Sequence, residues 1–367
     1  MTNLTQKLSK HFLGASVRVV TLALFLVVFG AGAALAQTRG YVTNLDAGTV
    51  SVFDPTTNMV VATVAVGAGP RGVAVTPNGT FAYVANLDSG TVSVISAATN
   101  LVTATVAVGG APHGVAVTPN GSFVYVTDFD GGPISVIDTA INMVTDTISV
   151  ADPTVAIAIA PNGTRAYASG LFGTLSVIDT ATNSVTNTIS LGGSLSGVAV
   201  SPNGARVYVA TFPNSLQVIN TATNLVVNTI AVGFGPFGVA ITPDGDHAYV
   251  TNEIADSVSV IKTANNAVIT NIPVGVRPGG LAVNPAGTFV YVPNLLNSNV
   301  SVINTATNAV ATTIPVGAGA KWIAFGVRLG PGPTDKDQCK QGGWATFTNP
   351  SFANQGQCVS YINHLNQ

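Results

Sequence analysis

Charged residues make up only 8% of this chain, so a register that gathers several of them stands out. Arg71, His113 and Lys321 occupy one position of a repeated phrase, the residue just before runs such as Gly72-Val73-Ala74-Val75. Aligned on that register the position reads Lys321, Arg71, His113, Val155, Ser196, Phe237 and Gly279, with Arg277 two residues ahead of the last. Guanidinium and ammonium groups held side by side are donors for a carboxylate or phosphate. Phe237, with Phe172 and Phe212 from nearby loops, would supply an apolar wall. Together these residues suit a small anionic or carboxylate-bearing ligand with an apolar portion. The alternative is internal neutralisation, with Asp46, Asp88, Asp128 and Asp130 pairing with the basic arc. His113 could serve as a general base if Asp88 or Asp128 oriented it, but no residue is assigned a catalytic role. His247 falls in a turn, and the repeat region holds no cysteine, so no metal site is expected. No Cys-x-x-Cys-His is present for haem attachment, and Asp128-Phe129-Asp130-Gly131 lacks the other ligands of a calcium loop. No cofactor is expected.

What must position these residues is a repeat. Tyr41, Tyr83, Tyr125, Tyr167, Tyr208, Tyr249 and Tyr291 are spaced by 42 residues four times and 41 twice. Each unit carries four short β-branched runs separated by turn residues, which predicts four strands, A to D. The A–B turn is Pro77-Asn78-Gly79 and its equivalents, with proline fixing φ and glycine supplying a left-handed position. The C–D turn carries Asn58, Asn100, Asn142, Asn183, Asn224, Asn266 or Asn308, a residue type that tolerates the left-handed region. Each tyrosine precedes its own turn asparagine by 17 residues, or by 16 in units four and five, so the length variation lies in the B–C loops. In a meander those loops share a face with the D–A loops, and this permissive face is where function is expected. The repeats begin in a strand B at Arg39-Gly40-Tyr41, whereas Trp322-Ile323-Ala324-Phe325 aligns with a strand A. The expected fold is therefore all-β: a seven-bladed propeller of four-stranded antiparallel blades, with the last strand completing blade one.

Tyr41-Val42-Thr43-Asn44 and Tyr249-Val250-Thr251-Asn252, with the Gly-Val-Ala-Val-Thr-Pro-Asn-Gly phrase, resemble the YVTN β-propeller repeats over about residues 38–328. The resemblance implies a bacterial or archaeal extracytoplasmic propeller, often surface-associated, with no common reaction. Units four and five depart from the motif, reading Tyr167-Ala168-Ser169-Gly170 and Tyr208-Val209-Ala210-Thr211.

Outside the repeats, residues 1–36 have a basic start, an apolar centre and a small-residue end at Ala34-Leu35-Ala36, the pattern of a cleaved signal peptide. Its removal takes Lys7, Lys10 and Arg18 and leaves a net charge of about −5, which speaks against nucleic acid as a partner. Residues 329–367 form a tail holding Cys339 and Cys358, which an oxidising compartment would join as a disulfide. The expectation is an exported monomer, periplasmic, secreted or at the cell surface, with no membrane span after cleavage. It would be a non-enzymatic binding or scaffold propeller for a protein or cell-envelope component. The alternative is a hydrolase of lactonase type using the channel mouth.

Overall fold

Within each repeat the B and C runs are buried on both faces, as in Tyr83-Val84-Ala85 and Val92-Ser93-Val94-Ile95. That is why they read as near-continuous Val, Ile and Ala rather than as strict alternation. The D runs alternate burial instead and lie at the rim. A computed structural model describes residues 37–328; the proposed leader, the tail and the Cys339–Cys358 pair lie outside the described residues. Seven four-stranded antiparallel sheets follow one another around an axis. Strand A of each sheet touches strand A of the next.

The core consists of seams between neighbouring blades. Tyr83, Val92 and Val94 of blade two, for example, pack on Val124, Val126 and Ile137 of blade three. The ring closes as the repeat register requires. Ala320–Arg328 is strand A of blade one and pairs antiparallel with Gln37–Asn44, placing Gly40 opposite Phe325 and Val42 opposite Ile323. The closing seam is aromatic: Phe53, Tyr291 and Phe325 have ring centroids 4.9 to 5.9 Å apart. Each such pair adds about 0.5–1.5 kcal/mol beyond its buried area. Where other blades carry isoleucine, blade one carries Phe53, and Gly40 makes room for it. A Cβ at Gly40 would lie 2.1 Å from the Phe53 ring.

The turn residues behave as their chemistry requires. All seven C–D asparagines are left-handed, with φ between 48° and 57°. Asn142, Asn183, Asn308 and Asn58 also latch the ring. The phenols of Tyr83, Tyr125, Tyr249 and Tyr291 donate to the amide oxygens of Asn142, Asn183, Asn308 and Asn58 in the following blade, at 2.6–3.5 Å. Burial pushes these four phenols up to about 12.

The motif threonine has a role of its own. Strand A carries a β-bulge in blades one to six, and strand B hydroxyls meet the backbone there. Thr127 Oγ1 accepts from Gly114 N (2.7 Å), and Thr251 Oγ1 accepts from Gly238 N (2.7 Å). Blade seven is the irregular one. Its strand A shrinks to Ala282–Val283, supplemented by an isolated Pro278–Asn294 bridge.

Candidate functional site

The bulge aims the variable register. Thr43 Oγ1 donates to the Arg71 carbonyl (2.8 Å), Ser169 Oγ to that of Ser196 (2.5 Å) and Thr251 Oγ1 to that of Gly279 (2.8 Å). A strand B hydroxyl of one blade thus pins the backbone of the variable residue in the next. The residue after it is glycine at 72, 114, 197, 238 and 280, because neighbouring A strands nearly touch at the axis. A Cβ at Gly72 would lie 2.4 Å from the His113 carbonyl, and one at Gly197 2.4 Å from that of Phe237.

Six of the seven register positions, Lys321, Arg71, His113, Val155, Ser196 and Phe237, line one cavity of about 510 Å³, and Arg277 lines it as well. Gly279 does not. Its carbonyl is held by Thr251, and a Cβ there would lie 2.0 Å from the Lys321 carbonyl, so backbone crowding dictates glycine. Arg277 adopts φ 56°, in a slot where Gly69, Gly235 and Gly319 are likewise left-handed. A non-glycine residue there costs about 1–2 kcal/mol of backbone strain, which the mouth retains for the sake of a guanidinium.

A second register builds the apolar wall: the residue following strand B, namely Leu87, Phe129, Leu171 and Phe212. Phe212 is where the sequence places it. Phe172 is not: it is 72% exposed, and Leu171, directly after strand B like Leu87 and Phe129, takes the wall position. In blade six this register holds Glu253, the side chain that sequence reasoning missed. Its signal was a lone acid in a column that is otherwise leucine or phenylalanine.

Glu253 changes the electrostatics. Its Oε1 accepts from Lys321 Nζ at 3.1 Å and from Arg277 Nη2 at 3.3 Å. Among the described residues none of Asp46, Asp88, Asp128 and Asp130 forms the ion pair expected with the basic arc, and Asp46 and Asp88 act on Arg71 only from a distance. Asp128 is instead spent on its own loop, accepting from Asp130 N at 2.8 Å. Asp46 and Asp88 line a shallower groove beside Arg71. Lys321 is only 4% exposed and lies 4.0 Å from the Phe237 ring centroid. Burial pulls its ammonium down, against the upward pull of Glu253. Arg71 makes no side-chain ion pair among the described residues, and its buried Nε lacks a partner. Burial lowers this guanidinium while Asp88, Glu253 and Asp46 oppose the shift.

His113 is 4% exposed, and its Nδ1 lies 2.7 Å from the Val155 carbonyl. The ring stacks on Phe129 at 5.3 Å and meets the Trp322 indole edge-on at 6.1 Å. Burial, with Arg71 and Lys321 nearby, pushes its pKa down to about 3. Neither Asp88 nor Asp128 orients it, so the base arrangement considered from sequence is not assembled. Trp322 sits beneath. It occupies the axial glycine register in blade one, rests against Phe237 at 5.4 Å and packs on clusters from both sides of the ring.

A ring of seven four-stranded blades around one filled axis is decisive for the architecture. The fold is a seven-bladed β-propeller. Hydrazine synthase of Kuenenia stuttgartiensis is similar to it, with a TM-score of 0.69, 24% identity and 72% of this chain and 92% of that chain covered. A functionally unknown protein from Desulfotomaculum acetoxidans DSM 771 is also similar, with a TM-score of 0.69, 17% identity and coverages of 79% and 99%. At these identities the likeness carries the fold alone. No family model matches the chain, and no curated protein matches it. Among the described residues no group of three or more His, Cys, Asp or Glu side chains could hold a metal ion.

Proposed function

We propose that this protein is an exported, YVTN-type binding propeller whose variable face takes a small anionic ligand with an apolar portion, presented by itself or by a protein or cell-envelope partner. The observation that carries the reading is the pairing inside the mouth. Three basic side chains, Arg71, Lys321 and Arg277, line the cavity, and a single carboxylate there, Glu253, bonds two of them. Arg71 keeps its fork for an incoming anion, in a half-buried setting where a bidentate carboxylate pairing is stronger than in water. Leu87, Phe129, Leu171 and Phe212 offer the apolar contact. The short loops suit binding rather than chemistry that must exclude water. A hydrolase reading needs a base poised near neutral pH, whereas burial pushes His113 down to about 3, and no carboxylate orients it.

The test is a calorimetric screen of aromatic carboxylates against their neutral amides on the full chain. Carboxylates should bind saturably, their amides at least about 10-fold more weakly, and Arg71→Ala should remove that preference. Amides that bind as well as acids, or a preference that survives in Arg71→Ala, would overturn the proposal.

A further inference from the structure

The His113 ring carries information that charge alone does not. A backbone carbonyl can only accept, so Nδ1 must carry the proton of the 2.7 Å contact with Val155. A second proton is opposed by burial and by Arg71 and Lys321. The ring is therefore a neutral tautomer whose Nε2 bears a lone pair. Among the described residues no hydrogen bond engages that atom, and the ring lines the cavity beside Arg71 of the neighbouring blade. The mouth thus offers two different invitations: a cationic fork for an anion and, next to it, an acceptor for a hydrogen-bond donor.

The donor's charge can also be decided. An ammonium would sit among Arg71, Lys321 and Arg277, and the carboxylate that could welcome it, Glu253, is already shared by two of these cations. Arg71 and Lys321, which already bear on the ring, disfavour a charged donor there. A neutral hydroxyl carries no such penalty. From this juxtaposition we infer that the cavity is matched to a hydroxycarboxylate with an apolar or aromatic body: carboxylate on Arg71, hydroxyl donating to His113 Nε2, body against Phe129, Leu171 and Phe212. The inference rests on the anion-binding reading above and names its ligand class. The cavity, at about 510 Å³, is of a size for such a molecule.

The experiment uses the full chain and three matched probes: 2-hydroxy-3-phenylpropanoate, 3-phenylpropanoate and phenylalanine. The hydroxy acid should bind about 10-fold or more tightly than the deoxy acid, since the latter leaves a buried acceptor unpaired. Phenylalanine should be weaker than either. His113→Phe keeps an aromatic ring on Phe129 and Trp322 but deletes the acceptor, and should bring the hydroxy acid to the level of the deoxy acid. A thermal melt of His113→Phe confirms that it is folded. If hydroxy and deoxy acids bind alike, and both lose affinity in Arg71→Ala, the hydroxycarboxylate inference is overturned and the anion pocket stands. If neither acid depends on Arg71, the pocket reading falls with it. Tighter binding of phenylalanine overturns the charge argument.

Discussion

Replacing His113 by asparagine should make the protein more resistant to acid. The folded-state pKa is pushed from 6.5 to about 3 by burial first, then by the cations Arg71 and Lys321. A base with a depressed folded pKa binds its proton more readily in the unfolded chain. Between pH 6.5 and about 3 the unfolded state therefore takes up a proton that the folded state refuses, and stability falls as pH drops through that window. At about pH 4.5, two units below the unfolded value, the penalty is about 2.7 kcal/mol, or roughly a 100-fold shift toward unfolding. Asparagine can present an amide N–H to the Val155 carbonyl in place of Nδ1 yet does not titrate. Urea unfolding followed by far-UV circular dichroism at about pH 7.5 and about pH 4.5 isolates the effect. The natural protein should lose about 2.7 kcal/mol more than His113→Asn across that interval. The remaining titratable groups are common to both proteins and cancel in the difference. Parallel losses would refute the claim that His113 is held neutral at the mouth.

Three further outcomes follow from the packing. Glu253→Gln strands the buried Lys321 ammonium among Arg71 and Arg277 and should cost about 3 kcal/mol in chemical unfolding, whereas Lys321→Met leaves Glu253 paired with Arg277 and should cost under about 1 kcal/mol; the reverse ranking would contradict the electrostatic account. Asn308→Ala loses both a left-handed turn residue and the 3.0 Å latch from Tyr249, while the amide oxygen of Asn224 has no partner. Asn224→Ala should therefore be the milder change by about 1 kcal/mol, and equal costs would show that the latch contributes nothing. Gly280→Ala drives a methyl to 2.1 Å from the Trp322 ring and should destabilise by about 1–3 kcal/mol. The penalty should largely vanish in a Trp322→Leu background, and an additive double mutant would deny that the indole occupies the axis.

Much of the fold could be read in the residues because each repeat spells its turns. The left-handed asparagines and the proline–glycine turns are local chemistry, and Gly40–Asn44 finds its closing partner by register alone. The variable register also led to the cavity, since a residue ahead of a bulge at the axis has one way to point. What stayed hidden depended on contacts between blades. Glu253 lies far in sequence from Lys321, and its pairing follows from ring geometry, not spacing. Gly279 looked like one more variant of the register, but a carbonyl from the next strand forbids any side chain there. Phe172 and Leu171 are adjacent, and where strand B ends, at Gly170, decides which one faces inward.

The closing strand has a consequence beyond sealing a seam. Ala320–Arg328 brings both Lys321, which lines the mouth, and Trp322, which packs behind His113 and Phe237, so both arrive together after six other sectors are already threaded. A folding chain has no complete mouth until that final segment docks. Ligand occupancy would then report completed assembly, and a molecule that fits the bowl would act as a clasp, favouring the shut circle over one sprung open at blade one.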